Sequence, residues 1–189
     1  MMKNKKLLNR QSIRLKGYDY SSPGYYFITI CVQDRKSLFG EIINGKIQLN
    51  EVGQMIQKWY QKLPEKFDHT INDAFICMPN HIHFITQIVY PDTKNIVSLS
   101  DIIQWFKTMT TNEYIRNVKS QNWPRFNKRL WQRNYWEHII RNENSLNNIC
   151  DYIYTNPQKW EQDRLHPNEP DLIQELSAEY QTSSWRVFA

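Results

Sequence analysis

The segments that read as strands and helices run strand, helix, strand, strand, helix, strand, with one more helix at the end. That order is the split βαβ pattern. It predicts an α+β, ferredoxin-like (RRM-like) sandwich, an antiparallel sheet with helices on one face. At 189 residues of ordinary composition, the chain suits one domain with tails and is long enough for a proper core. The segment "HIHFITQIV" (81–89) is third of the four main strands. In this topology the first and third strands are central, so His81-Ile82-His83 is expected mid-sheet.

Each element has its own signal. "GYYFITICVQD" (24–34) is rich in β-branched and aromatic residues and reads as a strand. "LFGEIINGKIQL" (38–49) places Asn44-Gly45 between apolar runs, the mark of a tight hairpin. "NEVGQMIQKWYQKL" (50–63) repeats its apolar residues with helical period through Val52, Met55, Ile56, Trp59 and Leu63, and Pro64 follows. "HTINDAFICM" (69–78) reads as a strand, Pro79-Asn80 as a turn, and 81–89 as the next strand. A helix over 99–118 takes Ser100 as its N-cap and Ile102, Ile103, Phe106 and Met109 as its apolar face. "KSQNWPRFNKRLWQRN" (119–134) reads as a basic loop and "YWEHIIR" (135–141) as a short strand. "NENSLNNICDYIYTNP" (142–157) is a helix stopped by Pro157, burying Leu146, Ile149, Cys150 and Ile153.

Charge is unevenly spread. Residues 1–16 carry six Lys or Arg and no acid, whereas 161–180 carry six acids and one Arg. The expected organisation is a basic flexible arm (1–16), one main domain (17–160) and an acidic extension (161–189). A basic arm on a mildly basic domain fits an anionic partner. No apolar stretch reaches membrane-span length, and the basic N-terminus has no signal-peptide core. Cys31, Cys77 and Cys150 are far apart with no Cys-x-x-Cys, which argues for a reduced setting and against a cysteine-held zinc. The expected location is cytoplasmic, at the nucleoid.

The residues that carry chemistry are few. Strand side chains alternate, so His81 and His83 point the same way and can share a metal ion. Two surface histidines at a strand edge is the alternative, and a central strand weighs against it. On the last helix Tyr152 and Asn156 are spaced i, i+4 and lie on one face, next to the buried stripe. Tyr beside a metal can be a nucleophile, and an amide oxygen can be a ligand; packing and helix termination are the alternatives. Tyr154 is turned about 200° away and reads as packing.

"MPNHIHFI" followed by "YWEHIIRNENSLNNICDYIYTNPQKW" resembles the single-tyrosine HUH transposases, the insertion-sequence 200-like superfamily. Within it the chain is most similar to the REP-associated tyrosine transposases, whose genes accompany repeated palindromes in bacterial genomes. "RLKGYDYSSPGYYFITI" adds to the likeness, which runs from about residue 14 to 160. The resemblance implies that Tyr152 attacks a phosphodiester of single-stranded DNA, leaving a 5′-phosphotyrosine and a free 3′-OH. It implies a divalent cofactor, Mg²⁺ or Mn²⁺, on His81 and His83, with Asn156 at the position where relatives supply a third ligand. The expected partner is single-stranded DNA with hairpin ends. Insertion-sequence relatives are dimers that exchange the tyrosine helix and some REP-associated members are monomers, so both states stay open. No nucleotide is expected, because the scattered glycines form no P-loop and a phosphotyrosine conserves the bond energy.

Residues 116–141 contain seven Lys or Arg and one acid, interleaved with Trp123, Phe126, Trp131, Tyr135 and Trp136. Cations can track a DNA backbone while aromatics stack on unpaired bases. The expected DNA contacts are Arg14, Lys16, Lys107, Arg125, Lys128, Arg129, Arg133, His138 and Arg141; for His138 a structural role is the alternative. Trp131 and Trp136 are expected to be buried. The rival class is a non-catalytic hairpin-binding protein, since RRM domains share this topology. The RNP pattern is absent, and such a protein has no use for a histidine pair.

Overall fold

In the computed structural model, residues 14–90 and 97–167 are described. The four main strands are β1 (Gly24–Cys31), β4 (Thr70–Cys77), β5 (His81–Ile88) and β6 (Trp136–Ile140). They pair antiparallel in the order β4-β5-β1-β6. This is the expected order, and it puts the histidine strand mid-sheet. The β1–β5 register sets Thr29 opposite His83 and Cys31 opposite His81.

The hairpin forms as a separate two-stranded sheet of β2 (Gly40–Ile43) and β3 (Lys46–Leu49). Its turn residues, Asn44 and Gly45, have φ of 52° and 70°, the left-handed pair that a type I′ turn requires.

Helix α1 (Glu51–Gln61) starts where the Asn50 side chain accepts from the Gly53 amide. Pro64 then lies in the first turn of a short helix, α2 (Leu63–Lys66). The long helix α3 (Leu99–Ser120) is capped by Ser98, in place of the expected Ser100. Ser98 wins because Asp101 lies three residues on and completes a reciprocal capping box. Helices α1 and α3 share one face of the sheet. Val52, Ile56, Ile102, Ile103 and Phe106 pack there against Tyr26, Ile28, Ile30, Ile82 and Phe84.

Helix α4 (Glu143–Thr155) is the exception to the one-face expectation. Its Ile149 and Ile153 pack with Phe27, Ala74, Ile85 and Ile140, the side chains of opposite parity, so α4 covers the other face. Parity is also the cause. His81, His83 and Ile85 point away from Ile82 and Phe84, and a helix bringing Tyr152 to the histidines must lie on their side. α4 stops at Thr155, just before Asn156-Pro157 as expected, and the chain then tightens into 3₁₀ turns over Asn156–Gln162. Proline is tolerated at that start, where its missing N–H costs no intrahelical bond.

Candidate active site

Strand β5 carries two fully buried imidazoles. Their Nε2 atoms face each other at 3.0 Å. Each ring is held from behind through Nδ1: His81 at 2.7 Å from Asn80 Oδ1, His83 at 2.8 Å from Thr29 Oγ1. Helix α4 sets the Tyr152 hydroxyl 3.3 Å from His83 Nε2, with the phenol ring edge-on to both Phe27 and His83. Asn156, one turn on and 2% exposed, hydrogen-bonds the Tyr152 hydroxyl through its side chain.

A fourth element completes the enclosure. The 3₁₀ turns lay Trp160 over His81, with ring centroids 6.0 Å apart. They lead to Asp163, whose side chain is 6% exposed and whose Oδ2 lies 3.8 Å from His81 Nε2. Two backbone carbonyls anchor this segment: Leu165 O accepts from Asn80 Nδ2, and Arg164 O accepts from Arg35 Nη1. Sequence reasoning missed Asp163, Asn80, Thr29 and Arg35. For Asn80 the signal was adjacency to the histidines; Asp163 sits in the segment assigned to the acidic extension.

The electrostatics suit a cation. Asp163 Oδ2 and Asn156 Oδ1 are buried without a hydrogen-bond partner, a costly state for two oxygens unless something positive binds between them. The ligand atoms of His81, His83 and Asp163 all lie within 4.8 Å of one another. Two imidazoles, a carboxylate and an amide oxygen form a mixed N/O donor set that accepts Mn²⁺ readily and Mg²⁺ with added water or phosphate oxygens. Burial, reinforced by the Arg35 guanidinium, pushes the His81 pKa down to about 3, and burial pushes His83 well below its usual range. Both rings are therefore neutral and able to ligate. Burial raises the Tyr152 hydroxyl and the Asp163 carboxylate raises it further, while the Asn156 hydrogen bond opposes them.

Depressed histidines have a stability consequence. The unfolded chain binds protons on these rings below about pH 6.5 and the folded chain does not, so stability is full above that pH and falls as pH drops toward 3 for His81. The expected loss is about 1.4 kcal/mol per pH unit per ring at most. Melting curves between pH 7 and 4.5 check this, with His81→Asn expected to flatten the dependence.

This arrangement has counterparts. The family model described as "Transposase IS200 like" matches residues 21–156. The chain belongs to this family. It is 40% identical over 169 residues to an uncharacterized protein of Haemophilus influenzae, spanning 84% of this chain and 93% of that one. A second Haemophilus influenzae protein, named provisionally a REP-associated tyrosine transposase, is 32% identical, covering 75% of this chain and 74% of its own. Among solved structures, a REP-associated tyrosine transposase bound to a REP hairpin superposes with a TM-score of 0.54 at 22% identity, over 79% of this chain and 74% of that one. That likeness speaks for the IS200-like fold. Among the described residues, no helix is long and apolar enough to cross a membrane.

The remaining expected site residues scatter. Lys16, Arg125, Lys128, Arg129, Arg133 and Arg141 are exposed. Trp131 is buried, with its indole N–H on Thr110 Oγ1, and Trp136 is half-buried. His138 pairs with Phe27 on the face that carries the two imidazoles, two strands from His83, and burial then Arg141 lower its pKa. Arg14 is turned inward. It pairs with buried Glu137 and stacks 3.5 Å over the Tyr135 ring. Lys107 is inward too: its ammonium donates to the carbonyls of Gln132, Arg133 and Asn134, at 3.0, 3.4 and 3.0 Å. Burial lowers its pKa to about 8. Both residues brace the basic loop and β6 from within, and Lys107 also lines the groove between α3 and that loop. Tyr154 is 61% exposed on the outer side of α4, so it is not the packing residue that its spacing suggested.

Proposed function

We propose that the chain is a metal-dependent single-strand DNA endonuclease and strand transferase that cleaves at or near hairpins through a 5′-phosphotyrosine. The observation that carries this reading is the Tyr152 hydroxyl at 3.3 Å from a buried imidazole that shares its site with an unpartnered carboxylate oxygen. His81, His83 and Asp163 would hold the cation, with Asn156 Oδ1 beside them. Held there, Mg²⁺ or Mn²⁺ would supply positive charge against Asp163 and Lewis acidity toward a phosphate oxygen.

The protein's own groups do the rest. Tyr152 loses its proton to solvent, its oxygen attacks phosphorus, the P–O3′ bond breaks, and the departing oxygen takes a proton from solvent to leave as the 3′-OH. The Asn156 amide donates to the Tyr152 oxygen and favours its ionised form. Trp160 and the 163–165 turn keep water from one side of the site. The phosphotyrosine ester conserves the bond energy, so a 3′-OH can reverse the step without ATP.

Backbone contacts away from the scissile phosphate would fall in an open groove, walled by Ile103, Thr111 and Ile115 of α3 and by Phe126, Arg129 and Arg133 of the loop. Gln132 lines the groove and donates its backbone N–H to Cys31 O, so this wall is tied to the end of β1. The hairpin preference is inferred from the hairpin-bound relative. Affinity should fall steeply with salt. Six exposed cations on phosphates give a slope of log K against log salt of about −4 for a single strand, and Arg129→Ala with Arg133→Ala together should flatten it by about 1.4. A salt-independent affinity, read by fluorescence anisotropy, rejects this groove. The test of the activity is a covalent adduct between purified protein and labelled hairpin-bearing single-stranded DNA, formed with Mn²⁺ or Mg²⁺ and absent with chelator. Tight, salt-sensitive binding without an adduct identifies a non-catalytic hairpin binder.

A further inference from the structure

We infer that the two histidines are not equivalent: Asn80 locks His81 in one tautomer, whereas Thr29 lets His83 change tautomer when a cation arrives. The second half of this inference rests on the metal reading above; the first half does not.

Asn80 is 1% exposed. Its Nδ2 contacts two carbonyls, Leu165 O at 2.7 Å and Arg35 O at 3.2 Å. Carbonyls only accept, so the amide N–H groups must face them and Oδ1 must face His81 Nδ1, at 2.7 Å. An amide oxygen only accepts as well. The proton of neutral His81 therefore sits on Nδ1, and Nε2 presents a lone pair to the site. Asn80 also ties this strand to Leu165, whose N–H donates to Asp163 Oδ1 at 2.7 Å. One amide thus fixes the lone pair of His81 and the turn that delivers Asp163; it is a positioning residue.

His83 is held differently. With His81 Nε2 bare, the proton in the 3.0 Å contact between the two Nε2 atoms belongs to His83. Its Nδ1 is then bare and accepts from the Thr29 hydroxyl, 2.8 Å away. Ligation needs both Nε2 lone pairs. His83 must give its Nε2 proton to solvent and gain one on Nδ1, with no net uptake or release. A hydroxyl both donates and accepts, so Thr29 can turn round and receive the new Nδ1–H. An amide pinned by two carbonyls, as Asn80 is, could not serve both states.

The experiment is long-range ¹H–¹⁵N spectroscopy of the imidazoles in the ¹⁵N-labelled full chain, without metal and with Zn²⁺ as a diamagnetic probe. His81 is expected as Nδ1–H in both states. His83 is expected as Nε2–H without metal and Nδ1–H with it. Thr29→Val should leave His81 unchanged and weaken Zn²⁺ and Mn²⁺ binding by about 10- to 100-fold, the usual effect of removing a partner behind a ligand. Finding His81 as Nε2–H in the metal-free wild type overturns the lock, and needs no variant to fold. Finding His83 already as Nδ1–H overturns the switch. A wild type that binds neither ion overturns the metal reading and the switch with it, while the metal-free spectrum still decides the Asn80 half.

Discussion

Tyr152→Phe is expected to form no covalent adduct with hairpin-bearing single-stranded DNA. The substitution removes one oxygen and keeps the ring, which packs edge-on against Phe27 and His83. The α4 packing rests on Ile149 and Ile153, so the fold and the DNA affinity should persist. Cleavage should fall by about 10³-fold or more, as when one member of a concerted set is lost. A denaturing gel reads the adduct directly, and circular dichroism confirms the fold. Tyr154 cannot substitute: it is 61% exposed on the far side of the helix. An adduct that survives in Tyr152→Phe moves the nucleophile elsewhere and ends the proposed assignment.

His81→Ala is expected to abolish cation binding and the adduct together. The loss leaves the Asp163 oxygen, already without a hydrogen-bond partner, without its nearest positive-capable neighbour, and His83 Nε2 without its contact at 3.0 Å. Removing a direct ligand should cost more than the 10- to 100-fold typical of a partner behind it, so Mn²⁺ affinity should drop by at least about 10²-fold. Titration calorimetry reads the affinity and the gel reads the chemistry. DNA binding should survive, since the exposed cations of the 125–133 loop are untouched. A variant that loses Mn²⁺ yet still forms the adduct separates the ion from the reaction and refutes metal-dependent cleavage.

How much of this was legible in the sequence follows from the range of each interaction. The order of elements, the central position of His81 and His83, and the approach of Tyr152 come from local periodicity and parity, which sequence carries directly. The second covered face was not legible from alternation. Strand β5 is buried at every position but Gln87, because α4 takes one side and α1 and α3 the other, so its pattern reads as a continuous apolar run. Asp163 depends on a carbonyl at Leu165 meeting an amide at Asn80, 85 residues away, and no spacing rule reports that. The inward turn of Lys107 and Arg14 was hidden for a related reason. A cation turned toward buried carbonyls or a buried glutamate has the same letter as one in water. Ser98 is different: Ser98 with Asp101 is a capping signature present in the sequence and passed over for Ser100.

The site draws its side chains from widely separated parts of the chain, and that has a consequence for synthesis. Tyr152 lies 69 residues after His83, and Asp163 later still. At roughly 5–20 residues per second, about 3–14 s separate the emergence of the two. During that interval the nascent sheet can pair β1 with β5 while the face holding Phe27, Ala74 and Ile85 waits for α4. A ribosome-bound or prematurely ended chain therefore carries the histidine pair without Tyr152. On the proposed reading, the ability to cut arrives only when the last helix docks, so an unfinished copy would be harmless to DNA.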